Sequence, residues 1–139
     1  MRHVLIVFAV AALAITGCGR KEPPQPVMSD AMPTLTQVNH EVSGNVVNIE
    51  VEISGGSHGI GFQIDRAEID PYCNCPGFWR RYQEQTPRAE NFGKPLSQVI
   101  NLKDPNKEYA FRVRAIDALG RFSDWSKIIR VRVEAKLFQ

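Results

Sequence analysis

Cys73 and Cys75 sit one residue apart in the stretch Asp70-Pro71-Tyr72-Cys73-Asn74-Cys75-Pro76-Gly77-Phe78-Trp79. Two cysteines this close can close a tight turn as a disulfide if their Cα atoms come within the allowed separation. The alternatives are two free or intermolecularly linked thiols, and a metal or redox centre. A structural zinc site wants four Cys/His ligands. His40 and His58 lie in distant segments, so the sequence offers no metal site and implies no cofactor. Catalysis finds no footing either. There is no placeable Ser/His/Asp arrangement, no glycine loop leading into a helix and no histidine pair at metal spacing. Asp65, Glu68 and Asp70 read as a solvated strand face and turn rather than as paired carboxylates. The chain reads as a non-enzyme. What remains is binding. Tyr72, Phe78, Trp79 and Tyr82, with Arg80 and Arg81, form an aromatic and basic cluster of the composition enriched at interface centres. It is either a contact surface for a protein or glycan partner, or extra cover for a core.

The compartment comes from the start of the chain. Arg2 and His3 precede a 12-residue apolar run, Val4 to Ile15, the length of a signal-peptide core and too short for a membrane span. Ile15-Thr16-Gly17-Cys18 resembles a bacterial lipobox, with small residues before a cysteine. The resemblance implies a lipoprotein signal peptide over 1–17, cleavage before Cys18, and membrane lipid held through acylated Cys18. Gly19 after the cysteine implies the outer membrane, facing the periplasm of a bacterial envelope. An exported chain meets oxidising conditions, where disulfides persist, and this favours a structural Cys73–Cys75 bridge. Residues 18–33 carry four prolines and read as a semi-rigid tether. Extended at about 3.1 Å per residue, the 15 residues after Cys18 would reach roughly 45 Å. The formal charge of +2 gives no electrostatic case for nucleic acid.

A single domain is expected over 34–139. Val47, Ile49, Val51 and Ile53 alternate with polar residues, as do Ile60, Phe62 and Ile64. Tyr109, Phe111, Val113 and Ala115 alternate with Glu108, Ala110, Arg112 and Arg114. Ile129, Val131, Val133 and Ala135 alternate with Ile128, Arg130, Arg132 and Glu134. Period-two alternation marks half-buried strands with one wet face. Thr34–Val38, Phe78–Gln85 and Leu96–Leu102 are the remaining expected strands. Ser54–Gly59 and Asp117–Lys127 are expected turns. Residues 67–95 read as an irregular insert, with a polar loop from Thr86 to Pro95. About seven short antiparallel strands over this length predict an all-β, two-sheet sandwich.

Tyr109-Ala-Phe-Arg-Val-Arg-Ala115 followed by Gly120-Arg-Phe-Ser-Asp-Trp-Ser126 resembles the last two strands of a fibronectin type III domain. Leu102 falls where that family has the leucine of its E–F corner, which implies a tyrosine corner at Tyr109. The family's core tryptophan on the second strand is missing, and Val51 or a neighbour must fill its volume. Phe122-Ser123-Asp124-Trp125-Ser126 resembles the WSxWS box of cytokine-receptor modules, with Phe122 for the first tryptophan. This implies that Arg112 and Arg114 stack on Phe122 and Trp125 as a structural cation–π brace. As a whole, the chain resembles small bacterial lipoproteins with one fibronectin type III-like domain. The implied role is a membrane-anchored interaction or structural module. The alternative is a redox-active or disulfide-linked envelope accessory protein using Cys73 and Cys75.

Overall fold

The computed structural model describes residues 31–104 and 106–132. The expected signal peptide, Cys18, most of the tether and the alternation from Val133 to Ala135 lie outside the described residues.

Among the described residues eight strands form: β1 (Thr34–Ser43), β2 (Val46–Ser54), β3 (Ile60–Asp70), β4 (Cys75–Pro76), β5 (Arg80–Arg88), β6 (Leu96–Asn101), β7 (Glu108–Asp117) and β8 (Ile129–Arg132). One sheet runs β1-β2-β6. In the other, β3 pairs β7, which pairs β8, while β4 and β5 both pair β3. All pairings are antiparallel. This is the expected two-sheet antiparallel sandwich.

The alternating apolar positions explain why the sheets face each other. Val47, Ile49 and Val51 of β2 and Ile60, Phe62 and Ile64 of β3 are all fully buried, and they meet Phe111, Val113 and Ala115 of β7. Each Val, Ile and Phe side chain among these contributes roughly 1.5–3 kcal/mol on leaving water, so this layer dominates the stability. Leu102, just past β6, is buried, and its N–H donates to the Asn45 carbonyl at 2.8 Å. Tyr109 joins the same cluster and lies tilted against Phe111, with 6.5 Å between ring centroids.

Three expectations change. Strand β3 runs on to Asp70, because Ala67 and Ile69 alternate onto the outer face and are covered there by Ala110 and Trp79. Thus Ala110 is buried rather than wet. The region 67–95 is mostly sheet: β5 extends through Thr86 to Arg88 as an edge strand, followed by a short 3-10 turn, Ala89–Asn91. Pro87 is tolerated near the end of β5 because β5 has a partner on one side only. Finally, the turn after β7 is tighter than 117–127. It closes over Ala118–Gly120, where the Gly120 N–H donates to the Asp117 carbonyl at 3.0 Å.

The two ends of the sandwich differ. At one, Ala31 accepts a hydrogen bond from the Gly56 N–H at 3.0 Å, and Pro33 is buried. Gly56 needs its glycine: its φ is +85°, and a Cβ would stand 2.9 Å from Ile60 Cγ2. The turn 70–79 lies at the opposite end of β3, about 36 Å away at roughly 3.3 Å per residue over 11 residues.

Candidate functional site

Two clusters of aromatics and arginines occupy the five-stranded sheet, one on its outer face and one at its far end.

The outer face carries a stack in the order Trp79, Arg112, Trp125, Arg114, Phe122. Ring-centroid distances to the guanidinium carbons are 4.5, 4.1, 4.5 and 3.9 Å in turn. Strand alternation puts Arg112 and Arg114 on one face of β7. Ser123 and Ser126 then hold the facing segment. The Ser126 N–H donates to the Val113 carbonyl at 2.8 Å, and the Val113 N–H donates to Ser126 Oγ at 3.0 Å. Ser123 repeats this with Ala115 at 3.1 and 2.8 Å. Each serine therefore serves both backbone groups of a β7 residue. The three-residue spacing of Phe122 and Trp125 matches that of Ser123 and Ser126, the period of a polyproline II turn.

The polar ends of the arginines are also engaged. Arg112 pairs with Asp65 at 3.0 Å, and Arg114 Nε donates to Gln63 Oε1 at 2.9 Å. Arg81 bridges Asp65 at 2.7 Å and Glu84 at 3.0 Å. Asp65 is therefore not on a solvated face; it is buried, held between Arg81 of β5 and Arg112 of β7. Burial opposes its charge, but hydrogen bonds from Arg81 and Arg112 outweigh this and hold its carboxyl below the usual range. Burial, then the neighbouring Arg81 charge, pulls Arg114 below its ordinary value. A guanidinium nonetheless stays charged.

A second buried carboxylate was not legible as a centre. Asp117 accepts from the backbone N–H groups of Ser57, Leu119 and Arg121 and pairs with the Arg121 guanidinium at 2.7 Å. Burial raises its pKa, and the hydrogen bonds from Arg121 and Ser57 more than reverse that. It ties the turn after β7 to the loop before β3. The only sequence signal was the spacing of Asp117 and Arg121.

The far end holds the turn 70–79. Cys73 and Cys75 are disulfide-bonded, with Cα atoms 5.2 Å apart, and both are exposed. Asp70 Oδ1 accepts the Tyr72 N–H at 2.8 Å. Asn74 takes a left-handed φ of 55°, and its side-chain oxygen accepts from Arg130 at 2.5 Å. The six aromatic and basic residues of the sequence cluster separate here. Tyr72 and Phe78 are 98% and 91% exposed. Arg80 is exposed too. Trp79 instead packs on Ala67, Ile69 and Ala110 beneath Arg112. Tyr82 packs on the core, edge-on to Phe111. Arg81 belongs to the Asp65 network. The strand bulge between Ile64 and Asp65 sorts these side chains between faces.

No family model and no curated protein matches the chain. Solved structures do. One described as a myokine structure is 17% identical, covers 72% of this chain and 95% of its own, and has a TM-score of 0.52. The third fibronectin III domain of the human KIAA0343 protein is 14% identical, covers 83% and 93%, and has a TM-score of 0.50. At these identities the likeness is one of fold: the described domain is a fibronectin type III-like sandwich.

Proposed function

We propose that this chain is a lipid-anchored protein of a bacterial envelope whose fibronectin type III-like domain is an interaction and structural module, not an enzyme. Anchoring rests on Ile15-Thr16-Gly17-Cys18 and the proline-rich stretch that follows. Acyl chains on Cys18 would hold it at about 0.8 kcal/mol per buried methylene. Gly19 after the cysteine points this reading to the outer membrane, periplasmic side. The observation that carries the module reading is the exposure of Tyr72 and Phe78, 98% and 91%, on a disulfide-closed turn. Two open aromatics on one closed turn are of the residue type enriched at interface centres. The turn also lies at the opposite end of the sandwich from Ala31, so a tether leaving there presents it away from the membrane.

Metabolic labelling with a fatty acid tests the anchor. Label is expected on the native chain and absent from Cys18→Ser; an unlabelled native chain removes the lipoprotein reading. Photo-crosslinkers at positions 72 and 78, with position 37 on β1 as control, test the surface. Adducts in intact cells from 72 and 78 alone are expected. Equal yields from all three contradict it.

The exposure of both cysteines favours one second reading, a redox-active accessory protein. Alkylation trapping in growing cells separates the two. A pair that stays oxidised supports the module, and a pair that cycles supports redox work.

A further inference from the structure

Arg66 and Arg80 are direct cross-strand partners in the pairing of β3 with β5. Cross-strand partners share a face, and like charges placed directly opposite destabilise a sheet. Their immediate neighbours, Asp65 and Arg81, pair ideally on the other face at 2.7 Å. Among the described residues, neither Arg66 nor Arg80 has a hydrogen bond or ion pair from its guanidinium. Arg66 is instead held by ring faces, 4.6 Å from the Tyr82 centroid and 5.2 Å from that of Tyr109. This stacking fixes the guanidinium but satisfies none of its five donors. The nearby carboxylate, Glu68, is taken by Lys107 at 2.8 Å. Arg66, Arg80, Glu68, Tyr82 and the exposed Phe78 line one cleft of about 360 Å³.

We infer that this cleft is an oxyanion site that seats a carboxylate from an acidic peptide segment of a partner protein between Arg66 and Arg80, with an adjacent apolar side chain against Phe78. A planar guanidinium fork matches a carboxylate bidentately, and a pre-stacked one loses little freedom on binding. At the small end of ligand pockets, the cleft suits a side chain. The surroundings favour one discrete carboxylate over an extended polyanion. Of the carboxylates at this end, Glu68 is already matched by Lys107 and Glu108 by Arg130 and Arg132, and the cleft has room for one side-chain carboxylate rather than a phosphate lattice or a bilayer face. This inference rests on the reading of the turn 70–79 as a contact surface and names the chemistry of what contacts it.

The test uses the full chain in zwitterionic detergent and fluorescence anisotropy. The probe is a fluorescein-labelled peptide with two glutamates flanking a phenylalanine. A glutamine-substituted copy and dihexanoyl phosphatidylglycerol are the comparison arms. Saturable binding of the glutamate peptide is expected, at least tenfold weaker for the glutamine copy and for Arg80→Gln. Arg66→Gln is expected to lose binding similarly, with near-UV circular dichroism checking its core. Should that variant unfold, the exposed Arg80 carries the test alone. Absence of saturable binding, an affinity unchanged in Arg80→Gln, or binding of the phospholipid in place of the peptide overturns the inference. Loss of binding in Phe78→Ala but not in Arg80→Gln also overturns it, while leaving the contact-surface reading standing.

Discussion

Two regions of one sheet share a composition and differ in what their charges do. On the outer face, Arg112 and Arg114 each lie between two rings, and both donate to a buried side-chain acceptor. At the far end, Arg66 lies against two rings and faces Arg80, and no acceptor meets either guanidinium among the described residues. Aromatics interleaved with arginine therefore mark neither a brace nor a site by themselves. The distinction lies in whether the polar edge of the guanidinium is already satisfied. A closed network resists removal of its parts. An open one carries a cost that a ligand relieves.

The strongest way to break this comparison is to show that the outer face is dispensable. Tyr109→Ala, a plain core loss, sets the scale at about 3–5 kcal/mol. Asp65→Ala strips the shared acceptor from Arg81 and Arg112 and should cost about 2 kcal/mol. Urea denaturation measures both. A loss below 0.5 kcal/mol for Asp65→Ala, on the order of an ordinary surface change, would make the network decorative.

The pH profile sharpens the same point. Asp65 and Asp117 both have folded pKa values held below the unfolded value. Their stabilisation is thus present above roughly pH 4 and is lost as pH falls through the depressed folded values. Urea midpoints should be level from about pH 5 to 7 and fall steeply below 4. The acid slope should be shallower in Asp65→Asn. An unchanged slope would mean that Asp65 contributes nothing to it.

Trp125→Ala comes next, at about 1–2 kcal/mol, because two guanidinium contacts of roughly 0.5–1 kcal/mol each are lost from a half-exposed ring. A cost equal to that of Tyr109→Ala would mean the stack is part of the main core.

The alternation in β2 and β7 made the sandwich legible, because each strand has one face that only a core can take. The serines and aromatics of 122–126 carried the Arg112 and Arg114 stack, since their spacing is local. Trp79 was not legible as its terminal rung. Its place depends on how β5 and the turn before it register against β3, and a one-residue bulge decides which of Trp79, Arg80, Arg81 and Tyr82 share a face. Asp65 looked solvated for the same reason: its partner Arg81 is supplied by register, not by sequence proximity. The extension of β3 to Asp70 was hidden because Ala67 and Ile69 are buried on the face where the pattern predicts water.

The most direct test compares the urea stability of Trp79→Ala with that of Phe78→Ala. These aromatics are adjacent in sequence, one stacked under Arg112 and the other 91% exposed. If the brace is closed and the turn is open, Trp79→Ala loses about 1–2 kcal/mol, from its one guanidinium contact and its packing on Ala67, Ile69 and Ala110, and Phe78→Ala stays within about 0.5 kcal/mol of the native chain. Equal losses for the two would contradict the division between them.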